Sequence, residues 1–273
     1  MTINCKGTLV DISSPKVMGV LNITPDSFFD GGRYKNDTQI LSQVEKMLTE
    51  GATFIDVGAY SSKPGAIHIS EDEELKRIVP VIDLLLKKFP EIILSIDTFR
   101  SKVAQETIHT GAAIINDISG GKMDNDMFAT VANLKVPYIL MHMQGTPQNM
   151  QQNPIYEDVT KEIIFFFAEQ IRKLQQLMVN DIIIDIGFGF GKTIDHNFEI
   201  LKNLELFKSL DAPILAGISR KSMLYKTLGI SAQEALNATT SANTIALLNG
   251  AHILRVHDVK EAMEAVKIVS QVL

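Results

Sequence analysis

Residues 182–192 read I-I-I-D-I-G-F-G-F-G-K, and the rest of the chain converges on them. Three β-branched residues, Ile182, Ile183 and Ile184, suit a strand buried on both faces, as in a parallel sheet. Asp185 then stands at the strand's end, and Gly187, Gly189 and Gly191 are interleaved with Phe188 and Phe190. A carboxylate at the mouth of a buried strand is costly unless an ionic or hydrogen-bonding group answers it. The glycines let backbone approach a ligand, and the phenyl rings offer flat faces. Two nucleotide patterns fail here: G-x-x-x-x-G-K-T needs glycine at Ile186, and G-x-G-x-x-G needs it at Lys192.

Outward from this stretch, strand-like runs alternate with helical spacing. Strands are predicted at 17–21, 54–57, 92–96, 113–115, 137–141, 182–184, 213–218 and 252–256. Helices are predicted at 38–50, stopped by Gly51, and from Ser70 towards Phe89, with Ser70 and Glu73 as a capping box and a kink at Pro80. Further helices are predicted at 101–110, 126–134, 160–178, 196–208, 232–249 and from Lys260 onward. Residues 1–16 form a lead-in, read as a hairpin covering the floor. Each connection is long enough for a parallel crossover, so the fold class is α/β, a (β/α)8 TIM barrel in a single domain. A doubly wound open sheet is the alternative, weakened by the missing dinucleotide motif.

A chain of 273 residues can bury roughly three quarters of its unfolded surface in one core. The formal charge of −6 argues against a broad nucleic-acid footprint. The single cysteine, Cys5, excludes an internal disulfide and fits a reducing, cytoplasmic setting. The start M-T-I-N-C-K-G has no basic region leading into an apolar core, so no signal peptide is expected. The densest apolar run, 163–168, is too short to span a bilayer, and no membrane partner is expected.

The residues that end the predicted strands carry the functional reading. They are Asn22, Gly58 with 61–66, Asp97, Asn116 with Asp117, Met141 with His142, Asp185, 217–221, and Arg255 with His257. In a parallel barrel these positions share one mouth, where barrel enzymes keep their chemistry. Asp97, Asn116 and Asp185 suit the donor-rich edge of a flat nitrogen heterocycle. Arg255 and His257 flank Val256 and share a strand face; with Lys221 they suit phosphate oxygens. The expected arrangement has the acids at one end of a cavity and the cations at the other.

Seven ordered stretches resemble dihydropteroate synthases: M-G-V-L-N-I-T-P-D-S-F-F-D-G-G (18–32), G-A-T-F-I-D-V-G (51–58), S-I-D-T (95–98), I-N-D-I-S-G-G (115–121), D-I-G-F-G-F-G-K (185–192), G-I-S-R-K-S (217–222) and R-V-H-D-V (255–259). The resemblance implies a transferase of folate biosynthesis that joins a hydroxymethyl-dihydropterin pyrophosphate to p-aminobenzoate and releases pyrophosphate. It implies a pterin site of Asp97, Asn116, Asp185, Lys221 and Met141. It implies a pyrophosphate site of Asn22, Ser62, Arg255 and His257, with Asn22 as a Mg²⁺ ligand. It implies a p-aminobenzoate site of Phe28, Ser62, Lys63, Pro64, Phe190 and Ser222. Asp97, Lys221, Arg255 and His257 would carry catalysis. A homodimer is also implied, as is a place among sulfonamide targets, with sensitivity itself left open by Tyr60, Ser62 and Lys63.

The second loop, A-Y-S-S-K-P-G-A (59–66), departs from the family's G-E-S-T-R-P-G-A. Tyr60 replaces an acid, and Lys63 keeps charge but loses the planar fork of arginine. Two other functions remain open at this point, a non-catalytic pterin-binding paralogue and a barrel that moves methyl groups from a folate to a corrinoid protein. Blander readings also stand beside the functional ones. His142 either lines the pocket or is structural. Lys192 and Thr193 shape their loop, and His68, His109 and His196 are solvated. Phe165, Phe166 and Phe167 belong to an outer-helix core. Asp26 and Asp30 are turn formers, or Asp30 assists loop closure.

Overall fold

A computed structural model describes residues 1–23, 33–61 and 68–272. Strands Thr2–Cys5 (β1) and Thr8–Asp11 (β2) form an antiparallel hairpin. The next eight strands are Lys16–Asn22 (β3), Phe54–Gly58 (β4), Leu94–Asp97 (β5), Ile114–Asp117 (β6), Tyr138–Met141 (β7), Ile182–Asp185 (β8), Ile214–Ala216 (β9) and Ile253–Val256 (β10). They pair in parallel and close into a barrel, β10 returning to lie beside β3. The surrounding helices are Arg33–Thr49 (α1), Glu71–Lys88 (α2), Ser101–Thr110 (α3), Met127–Leu134 (α4), Val159–Gln176 (α5), Ile194–Lys202 (α6), Ser222–Leu228 (α7), Leu236–Leu248 (α8) and Val259–Val269 (α9). Among the described residues no helix is long and apolar enough to cross a membrane.

The expected barrel is the one observed, and the differences lie in boundaries. β7 and β9 begin one residue after Pro137 and Pro213, because proline has no N–H for the ladder. Both prolines still contribute carbonyls, accepting from Ile115 N at 3.1 Å and Ile184 N at 2.9 Å. The predicted helix at 196–208 is divided: α6 ends at Lys202, capped by Asn203, and a 3-10 helix, Leu204–Leu210, follows. α6 starts earlier than expected because Thr193 caps it, its Oγ1 accepting from His196 N. α7 lies outside the predicted helical spans; it has only seven residues and stops at Gly229, φ +66°. Ser70 does cap α2, but the reciprocal half of the box is missing, because the Glu73 carboxylate pairs with Arg77 at 2.7 Å. α2 runs unbroken through Pro80.

Period-2 alternation sorts the strands into two environments. Residues such as Ile55, Val57, Ile96, Ile115, Leu140, Ile184 and Leu254 face outward and pack under the helices. The inward positions are apolar at the amino ends, where Met18, Phe54, Ile114, Ile139, Ile183, Leu215 and Ile253 cluster with Ile3, Cys5 and Ile12 of the lead-in. The hairpin therefore covers the floor, as expected. It is fastened there by Asn4 N donating to Asp181 Oδ2 at 3.2 Å and Lys6 Nζ donating to the Gly111 carbonyl at 2.8 Å. Two residues further along the same strands the inward side chains become polar: Phe54 gives way to Asp56, Ile114 to Asn116, Ile183 to Asp185 and Ile253 to Arg255.

Candidate active site

Arg255 is the junction of this polar layer. Its Nε donates to Asp56 Oδ2 at 2.7 Å, and its Nη2 donates to Asp97 Oδ2 at 2.9 Å. Asn116 Nδ2 donates to the same Asp56 oxygen at 2.9 Å. Gly217, just beyond β9, marks where the opposite wall closes in. A Cβ there would lie 3.8 Å from Asp185 Oδ2, 3.8 Å from Lys221 Nζ and 4.0 Å from Arg255 Cβ. Asp56, Asp97, Asp185, Lys221 and Arg255 thus share one space. The expected division into an acidic end and a cationic end is not what forms. Arg255 stands between Asp56 and Asp97, and Lys221 faces Asp185, because buried charges are tolerated only when each meets its opposite.

Burial governs the protonation of these groups. It raises the Asp97 carboxyl to about 7 against the pull of Arg255, with Asp56, Glu74 and Asp117 adding to the rise. It raises Asp185 as well, opposed first by Lys221 and then by the Gly187 N–H, which donates to Asp185 Oδ1 at 2.8 Å. It lowers Lys221 to about 8, with Asp185 opposing. Burial also works against the Arg255 charge, but Asp56 and Asp97 outweigh it and hold the guanidinium protonated. His257 lies further out on the same strand line, with Nδ1 3.0 Å from Ser219 Oγ. The residue as a whole is exposed, yet desolvation by the surrounding protein first, and the Arg255 charge second, lower its pKa.

The loop 186–193 walls the Asp185 side. Gly187 has φ +70°, and a side chain there would collide with the His142 carbonyl, so only glycine fits. Buried Lys192 fixes the loop from beneath. Its Nζ donates to the carbonyls of Gly187 at 2.9 Å, Phe190 at 3.1 Å and His142 at 3.3 Å, and lies 3.0 Å from His142 Nδ1. His142 is therefore structural, its ring also edge-on to Phe166 at 5.0 Å. Lys221 Nζ donates to the Phe188 carbonyl and lies 4.7 Å from the Phe190 ring centroid. Across the mouth, Asn22 is half-buried at the end of β3, its Oδ1 3.5 Å from where a Cβ on Gly58 would stand.

Of the residues expected to form the site, Asp97, Asn116, Asp185, Lys221 and Arg255 are brought together by the contacts above. Met141 is buried in a cluster with Tyr60, Phe99 and Ile118, against which Phe190 packs. Ser222 opens α7, partly exposed. Phe28, Ser62, Lys63 and Pro64, with Asp26 and Asp30, lie outside the described residues. Tyr60, in the second loop, is buried, with its hydroxyl 3.3 Å from His68 Nδ1 and its ring 5.5 Å below the Arg100 guanidinium. His68 and His196 are thus engaged rather than simply solvated, His196 by capping α6 and meeting the Tyr156 ring. Of the three phenylalanines on α5, Phe167 is fully buried and Phe165 is 71% exposed. The residue the sequence reading missed is Asp56. Its signal was a lone acid inside F-I-D-V-G, an otherwise apolar buried strand.

Comparison with known proteins agrees with this geometry. The family described as "Pterin binding enzyme" matches residues 18–257. The dihydropteroate synthase of Escherichia coli K12 is 42% identical, covering 100% of this chain and 97% of its own. That of Haemophilus influenzae is 39% identical, with 98% of each chain covered. Among solved structures, Yersinia pestis dihydropteroate synthase in a sulfonamide complex superposes with a TM-score of 0.93 at 42% identity, covering 100% and 99% of the two chains. Xanthomonas albilineans dihydropteroate synthase with 4-aminobenzoic acid superposes with a TM-score of 0.92 at 34% identity, covering 99% and 97%. With the conserved architecture spanning the whole barrel, the chain belongs to the pterin-binding enzyme family, among its dihydropteroate synthases.

Proposed function

We propose that the barrel mouth condenses 6-hydroxymethyl-7,8-dihydropterin pyrophosphate with p-aminobenzoate to give 7,8-dihydropteroate and pyrophosphate, a step of folate biosynthesis, the whole chain acting as one pterin-binding barrel. The observation that carries this reading is the meeting of heterocycle acceptors with a buried guanidinium at Arg255. Asp185 accepts hydrogen bonds from the amidine-like edge of the ring, Asn116 and Lys221 serve its remaining polar atoms, and Met141 packs beside it. Asp56 and Asp97 engage only part of the Arg255 donor fork, so N–H groups remain for pyrophosphate oxygens, with His257 beside them at the rim.

The chemistry follows from these charges. The C–O bond to pyrophosphate breaks and its electron pair leaves with the phosphate oxygens, neutralised by Arg255 and met by a hydrogen bond from the uncharged His257 ring. The exocyclic methylene is left cationic, and the ionised Asp97 carboxylate stabilises it. The amine nitrogen of p-aminobenzoate forms the new C–N bond, and its proton is released to solvent or to the departing pyrophosphate. An aryl amine is uncharged at neutral pH, so no strong general base is needed.

The family implies Mg²⁺. Among the described residues no group of three or more His, Cys, Asp or Glu side chains is placed to hold a metal. A single amide oxygen at the rim, Asn22 Oδ1, fits an ion that takes few protein ligands and completes its shell with phosphate oxygens and water. Asn22 would hold it there, where the ion would supply charge neutralisation for the leaving group.

The reading sets p-aminobenzoate against Phe190, with Ser222 at the start of α7 receiving its carboxylate. Phe28, Ser62, Lys63 and Pro64 complete that side by their sequence positions, Ser62 also meeting the pyrophosphate. Exposed Leu228, Ile245 and Leu248 on α7 and α8 support a homodimer, and buried, free Cys5 supports a reducing, cytoplasmic setting. Incubation with both substrates and Mg²⁺ should release pyrophosphate and form dihydropteroate. Tight pterin binding without product at high enzyme concentration would leave only a binding protein.

A further inference from the structure

The site contains one carboxylate to which the proposed chemistry gives no role. Asp56 is fully buried midway along β4, in register with Ser95 of β5. Such a group is costly to bury and is kept only where its partners need it. Its Oδ2 takes both Arg255 Nε and Asn116 Nδ2, while Asp56 Oδ1 and Asn116 Oδ1 are buried with no hydrogen-bond partner. An ionised carboxylate only accepts, so it fixes which way the Asn116 amide lies. The NH₂ turns to Asp56, and the oxygen is left for a donor on the bound ring. The same Asp56 oxygen takes Nε of Arg255, which sets the guanidinium plane so that Nη2 reaches Asp97.

We propose that Asp56 is a positioning residue for the pterin-pyrophosphate substrate, acting through Asn116 and Arg255. It couples recognition of the ring to neutralisation of the leaving group, because one oxygen holds the residue that reads each. This rests on the functional reading above. An amide at 56 could present either its oxygen or its NH₂, so Asn116 would lose its fixed orientation and Arg255 one of its two charged partners.

The test is Asp56→Asn in the full chain, assayed beside the parent with both substrates and Mg²⁺. Failure of the parent to turn over would overturn the functional reading alone; Asp56 would then be judged by calorimetric binding of 6-hydroxymethyl-7,8-dihydropterin pyrophosphate to parent and variant, with at least tenfold weaker binding expected and equal affinity overturning the role. With an active parent, kcat/KM for the pterin substrate should fall at least 30-fold, on the order expected when a buried charged partner is lost. KM for p-aminobenzoate should stay within about threefold, since Asp56 reaches only the pterin-side residues. The acid limb of the pH profile should move to lower pH, because the Asp56 charge helps to raise Asp97. In an Arg255→Met background the same change should lose most of its effect. Equal losses in both backgrounds with an unmoved acid limb would make Asp56 merely structural, and parent-like kinetics would remove the role altogether. Should Asp56→Asn not fold, Asn116→Asp reads the contact from the other side. Its facing carboxylates should weaken pterin binding, and the exchanged pair Asp56→Asn with Asn116→Asp should recover at least tenfold; no recovery would overturn the proposal.

Discussion

Asp97 and Lys221 titrate in opposite senses towards neutrality. Burial raises Asp97 to about 7 and lowers Lys221 to about 8, and the chemistry needs the carboxylate and the ammonium together. Below about 7 Asp97 takes a proton and can no longer stabilise the methylene cation; above about 8 Lys221 loses its charge. The kcat/KM for the pterin substrate reports groups of the free enzyme, so its pH profile should be a narrow bell between those limbs. A rate flat from about pH 6 to 9 would contradict the assignment. Arg255→Ala makes a separate statement. It should weaken the pyrophosphate-bearing substrate far more than the product pteroate, as read by calorimetry, because only the former carries the anion. It should also lower the thermal midpoint, since loss of one partner from a buried ion pair costs about 3–5 kcal/mol and Asp56 and Asp97 both rely on this cation. Equal weakening of both ligands would contradict the pyrophosphate role.

The loop 186–193 is built around a buried lysine that touches no substrate in this reading. Lys192 is deeply buried and bonds three carbonyls beside the His142 ring, holding the segment that carries Phe188 and Phe190. Lys192→Met keeps the volume but leaves those carbonyls unanswered, at about 1–3 kcal/mol each before relaxation. The variant should melt at lower temperature and bind pterin more weakly, because the Phe188 carbonyl is the Lys221 partner. Unchanged melting and pterin affinity would show that the loop holds its shape by its glycines alone. The sequence made the glycines and the strand before them readable, yet not this lysine's task. Its partner His142 lies 50 positions away, and no local pattern links them. Asp56 was missed for a related reason: attention to strand ends passed over an acid at a strand's middle, where only alternation shows that it points inward. α7 fell outside the predicted helical spans because seven residues are too few to display helical spacing.

At the scale of the barrel, alternation of β-branched runs with helical spacing was enough to give the topology, and the strand ends it marked include Asp97, Asn116, Asp185, Lys221 and Arg255, which meet at the mouth. What could not be read was their order in space. Asp56 and Arg255 are 199 positions apart and meet because β10 closes against β3, which pairs with β4. The interleaving of opposite charges depends on that closure and on strand register. The same closure separates two tasks along the barrel axis: an apolar floor sealed by the β1–β2 hairpin and a charged mouth at the other end. Conservation of activity should therefore survive damage to the floor. Ile3 is 1% exposed and packs among the floor residues, so Ile3→Ala should cost about 2–5 kcal/mol of stability, the range for emptying a buried aliphatic site. Denaturant unfolding should show a lower midpoint with a similar slope, because the surface exposed on unfolding hardly changes. At 25 °C, where the variant is still folded, both KM values and kcat should stay within about twofold of the parent, since a buried site far from the chemistry gives nothing to the transition state. A shifted KM for either substrate with an unchanged unfolding midpoint would mean that floor and mouth are mechanically coupled, and that the hairpin is part of the catalytic apparatus rather than its support.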